Sequence, residues 1–61
     1  MSGATVKVSF MFRKQGYSGV VTILKDGECI WLETTPKVQP TIAAALRDAD
    51  ARRADLLDGA T

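Results

Sequence analysis

The sequence predicts an α+β domain: a three-stranded antiparallel meander with one C-terminal helix packed on one face. Three observations carry this. Apolar residues alternate along residues 5–13, Asp26-Gly27 separates two apolar runs, and beyond Pro40 the apolar spacing changes from two to three and four. Sixty-one residues make a single domain, residues 1–61.

The first strand, residues 5–13, places Val6, Val8, Phe10 and Phe12 on one face. Period two with β-branched and aromatic side chains marks a half-buried strand. Lys14 to Tyr17 form the first loop, and residues 18–25 form a strand that is apolar on both sides. Asp26-Gly27 is the strongest hairpin signal, because a type I′ turn needs positive φ at both central residues. Residues 28–34 make the third strand. A helix over about 40–57 follows, with Pro40 in its first turn and Gly59 near its end. Its apolar stripe is Ile42, Leu46, Ala49 and Leu56, with Ala45 beside it.

Turn lengths assign faces. A two-residue turn at Asp26-Gly27 sets Lys25 opposite Glu28, Ile23 opposite Ile30 and Val21 opposite Leu32. A loop at Lys14–Tyr17 sets Arg13 opposite Ser18, Phe10 opposite Val21 and Val8 opposite Ile23. Opposed residues share a face, so all of these apolar residues meet on the helix side. The other face then carries Met11, Val20, Leu24 and Trp31, with Lys7 and Arg13 among them. One helix covers one face of a sheet, and an apolar patch left bare marks an interaction surface.

Composition narrows the chemistry. Hydrophobic residues make up 46% and the net charge is +1, as expected of a folded chain. Residues 1–38 hold five Lys or Arg against three Asp or Glu, and residues 39–61 hold three against four. Neither part supplies the broad positive field of a dedicated phosphate binder. One cysteine and no histidine exclude an intramolecular disulfide and offer no structural zinc site. No cofactor or small-molecule substrate is implied. With neither usual staple open to so small a chain, self-association is the remaining route to added stability. No apolar run is long enough to span a bilayer, and Lys7 and Ser9 interrupt the N-terminal apolar residues, so no signal peptide is read. A lone free thiol fits a reducing cytoplasm, the host's if the chain is viral.

No catalytic residue is assigned. General-base chemistry without histidine needs a perturbed carboxylate, amine or thiol in a cleft, and a helix on a three-stranded sheet leaves little room for one. Asp48 and Asp50 lie two apart on the helix and point away from each other, while Asp48 and Arg52 are spaced to pair on a solvated surface. Cys29 has no Cys-x-x-Cys partner and is expected to be half-buried and inert. Gly16-Tyr17-Ser18-Gly19 precedes no helix and is hairpin punctuation, not a phosphate loop. Tyr17 is expected to cap the edge of the core. Arg53, within the helix stripe, is expected to reach Glu28.

Gly16-Tyr17, Asp26-Gly27-Glu28 and the helix around Ala43-Ala44-Ala45-Leu46 give a layout that resembles the arm-type DNA-binding domains of phage integrases and the AP2-type domain of plants. It is also similar to short uncharacterised bacterial and phage proteins. In the DNA-binding families the sheet face opposite the helix enters the major groove, which implies reading by Lys7, Arg13 and Trp31. Here Met11, Val20 and Leu24 interrupt that basic pattern. The sequence therefore ranks a protein-interaction module first, a homodimer or the binder of a protein partner through the open sheet face, with Trp31 as its anchor. A phage or plasmid accessory protein acting on a host factor fits this profile. A DNA-binding module using the same face is the alternative.

Overall fold

A computed structural model of the chain describes residues 3–59. Strands β1 (Ala4–Arg13), β2 (Gly16–Lys25) and β3 (Glu28–Thr34) form an antiparallel sheet in the order β1-β2-β3, and helix α1 (Ile42–Gly59) follows. The helix packs on β2 and β1. The fold is the α+β meander that the sequence predicts.

Asp26 (φ 53°) and Gly27 (φ 81°) carry the two positive φ angles of a type I′ turn, and Lys25 opposes Glu28 as expected. The first hairpin is tighter than expected. Lys14-Gln15 alone form its turn, Arg13 pairs with Gly16, and Tyr17 belongs to β2. Phe10 therefore opposes Gly19, and Val8 opposes Val21. The register moves by two residues from the expectation, and because side chains alternate with period two, every face assignment of β1 survives.

In β3 the faces do not survive. Leu24 pairs with Cys29 but Ile23 pairs with Trp31, so Ile30 is an extra residue, a β-bulge. Beyond it Val21 opposes Glu33 and Thr22 opposes Leu32. The expected partners Ile30 and Leu32 are replaced one residue along. Trp31 and Glu33 thus share the helix side, and Leu32 goes to the open face.

After β3 the chain stays beside β2. The Thr35 N–H donates to the Gly19 carbonyl (2.8 Å), and the Gly19 N–H donates to Thr35 Oγ1 (2.9 Å). Residues 36–38 swing out over Ser18, whose hydroxyl donates to the Lys37 carbonyl at 3.4 Å. Gln39 then rejoins, exchanging two backbone hydrogen bonds with Tyr17 (2.8 and 2.7 Å). The helix begins two residues later than expected. Thr41 caps it, accepting from the Ala44 N–H at 3.1 Å, and Pro40 lies just outside.

Gly19 is where helix and sheet touch. A Cβ there would lie 2.5 Å from the Ala45 carbonyl oxygen and 2.8 Å from the Ala49 Cβ. Val21, Ala45 and Ala49 are the fully buried apolar residues. Such a core is small, and the molecule is correspondingly flat, with extents of 40 × 22 × 15 Å and a radius of gyration of 12.0 Å. A compact chain of this length has a radius of about 10.5 Å. The accessible surface is 4455 Å², against about 3,900 Å² for a compact monomer of this mass.

Candidate interaction surface

The open face of the sheet gathers five of the six residues proposed from sequence. Lys7, Met11 and Arg13 alternate along β1 with Val20 and Leu24 of β2, on the side away from the helix. Met11 is 38% exposed, and Val20 and Leu24 are partly exposed. Its sulfur lies 3.8 Å from the Thr34 hydroxyl, which ties β1 to β3 across this face. Leu32, 62% exposed, occupies the place expected for tryptophan. Cys29 is exposed here rather than half-buried, because Leu24, its only cross-strand neighbour, leaves one side of it to solvent.

Trp31 is the sixth, and it belongs to the other side. The bulge at Ile30 turns it toward the helix face, but α1 lies over β2 and β1, so Trp31 remains 51% exposed at the uncovered margin. Its indole Nε1 donates to Glu33 Oε1 at 3.0 Å. Arg52 binds the same carboxylate through Nε (2.6 Å to Oε2) and Nη2 (3.3 Å to Oε1). Arg52 first, and then Trp31, holds the Glu33 carboxyl below the usual carboxylate range, while Glu33 raises the Arg52 guanidinium. This is the helix-to-sheet ion pair, and it replaces the expected Arg53–Glu28 contact. Arg53 pairs instead with Asp50, one turn back (2.5 Å). Asp48, expected to meet Arg52, accepts from Gln39 Nε2 at 2.7 Å.

Between helix and β3 lies a groove of about 510 Å³ whose lining includes Glu33, Lys37, Asp48, Arg52 and Asp55. Both resolved pKa shifts in it favour the charged form, and both arise from the Glu33–Arg52 pair.

A third feature was only partly legible. Phe10, Phe12 and Tyr17 form an aromatic cluster on the helix side, with ring centroids 5.7–6.1 Å apart and Phe10 edge-on to the other two. Tyr17 caps the core edge as expected, yet Phe12 is 74% exposed. The helix axis passes over Gly19, and Phe12 lies beyond it toward the first turn.

The bulge is what sequence reasoning missed. Cys29-Ile30-Trp31-Leu32 is apolar at every position, so alternation there does not choose between two registers. The available signal was Glu33, which an alternation continued from Glu28 sends away from the helix that carries Arg52.

Comparison with protein-family models, curated proteins and solved structures finds no significant match to this chain. Among the described residues, no helix is long and apolar enough to cross a membrane.

Proposed function

We propose that this chain is a non-enzymatic interaction module that associates with protein, its own copy first, through apolar surface that the single helix leaves uncovered. The observation that carries this is the mismatch between core and surface. Among the described residues the fully buried apolar ones are Val21, Ala45 and Ala49, while Phe12, Leu32, Ile30, Leu57 and Trp31 are each more than half exposed. Exposed apolar surface of this kind, on so small a core, favours a partner that buries it. The partner-binding residues are Met11, Val20 and Leu24, with Leu32 beside them and Lys7 and Arg13 at the margin. Trp31 contributes from the opposite side, where its indole N–H donates to Glu33.

The free thiol of Cys29 fits a reducing compartment, and we assign the chain to the cytoplasm on that ground. Light scattering over a range of protein concentrations tests the function, together with thermal unfolding. The expected result is a dimer at micromolar concentration and a Tm that rises with concentration. A monomer at every concentration removes self-association. A sharp, salt-resistant complex with one duplex sequence, lost in Arg13→Ala, would favour DNA instead, because two basic side chains on an apolar face neutralise few phosphates.

A further inference from the structure

We propose that the second copy docks along the free edge of β1, pairing antiparallel with its counterpart about a two-fold axis at Ser9; this rests on the self-association proposed above but places it at the strand edge, leaving Val20, Leu24 and Leu32 of the open face for another protein. The sheet has two outer edges, and they differ. β3 presents seven residues, interrupted by the bulge at Ile30 and flanked by Glu28 and Glu33. Bulges and charges are the usual protection of an edge strand. β1 presents ten residues with no bulge and no proline, its two charges Lys7 and Arg13 lie on the open-face side, and among the described residues no backbone hydrogen bond from outside the sheet reaches it.

The hydrogen bonds of β2 show which groups β1 leaves open. Tyr17 and Gly19 direct both backbone groups away from β1, to Gln39 and Thr35. Their β1 partners Phe12 and Phe10 are therefore the non-hydrogen-bonded pairs of the ladder. By alternation, the N–H and C=O groups of Val6, Val8, Phe10 and Phe12 all point outward. A second β1 satisfies them when even-numbered residues oppose even-numbered ones. Centring on Ser9 sets Val8 against the partner's Phe10 and Val6 against the partner's Phe12, an aromatic against a β-branched residue each time. Centring one residue earlier would set Phe12 against only the partner's Ala4. With Ser9 on the axis, Lys7 opposes the partner's Met11, and the two Lys7 residues stand about 14 Å apart along the strands.

The surface exceeds that of a compact monomer by about 550 Å², so the fold leaves area for a partner to cover. The most exposed large side chain, Phe12, would lie over the partner's Val6. The product is a six-stranded sheet with both helices on one side and the two open faces joined into one.

Two variants in a Cys29→Ser background test the register. At the axis, Ser9 and its counterpart form a non-hydrogen-bonded pair with Cα atoms about 4.5 Å apart, within disulfide reach. Under mild oxidation Ser9→Cys should become a covalent dimer, whereas Lys7→Cys, on the same face but too far apart to bridge, should cross-link at least about tenfold more slowly. Equal cross-linking of the two, or none for Ser9→Cys while the unmodified chain scatters as a dimer, overturns the β1 edge and leaves self-association standing. A chain that is monomeric throughout removes both.

Discussion

Replacing Gly19 by alanine adds one methyl group at the point where the helix rests on the sheet. The new Cβ would stand 2.5 Å from the Ala45 oxygen, 2.8 Å from the Ala49 Cβ and 2.9 Å from the Ala49 nitrogen. Two of those atoms are backbone, so no rotamer change relieves the contact. Restoring ordinary carbon contacts of about 3.5 Å lifts the helix by up to roughly 1 Å, and a gap of that size forfeits a quarter to a half of the dispersion attraction it opens. Ala45 and Ala49 are the helix's two fully buried residues, so the loss falls on the core itself. Overpacking of this kind costs about 1–3 kcal/mol, and reduced freedom of the unfolded chain returns about 0.4–1. A net loss of about 1–2 kcal/mol follows. A chain of this length has about 3–9 kcal/mol in all, and with m near 1 kcal/mol/M the urea midpoint should fall by about 1–2 M. Circular dichroism at one fixed protein concentration reads the midpoint, which keeps association constant. Ala49→Gly relieves one of the three contacts, so the double variant should be more stable than the sum of its single changes. A Gly19→Ala midpoint at or above the parent's would refute the helix position and the small core built on it.

The bulge predicts an order of sensitivity in β3. Ile30, 54% exposed, should lose less than about 1 kcal/mol on truncation to alanine, while Trp31→Ala, which also removes the bond to Glu33, should cost about 1–2; urea titration showing the reverse order would restore Ile30 to the core. Acid should weaken the fold through Glu33. Its folded carboxyl titrates below the ordinary range because Arg52, then Trp31, donates to the charged form, so that stability is complete above the unfolded range and is lost as pH falls through the lower folded one. Arg52→Gln should flatten the acid limb of the stability curve below neutrality. Parallel curves would dissociate the ion pair from stability, and the effect is small because both side chains are partly exposed.

Element type and order were legible wherever one local rule acted alone. Alternation in β1 held its faces even though the hairpin closed two residues earlier, since a shift of two preserves the pleat. Asp26-Gly27 specified its turn through the backbone freedom of both residues. Long-range pairing was where reading failed. The four-residue apolar run containing Trp31 has no period to follow, and its register depends on Arg52 and on the Thr35–Gly19 bonds, which only the folded chain brings together. The same holds for the helix stripe. Spacing placed Ala49 on the stripe with Ala45 beside it, and these are the buried pair, but Ile42, on the same stripe, stays at the surface because the close approach at Gly19 favours small residues.

The strand order has a consequence during synthesis. Each strand pairs with the one made just before it, so both hairpins are complete once Thr34 has emerged, and hairpins close in about 1–10 μs. The helical residues that cover Val21 follow later, and at about 5–20 residues per second the roughly twenty residues to Leu56 take on the order of seconds. For that interval the nascent sheet shows water two apolar faces instead of one.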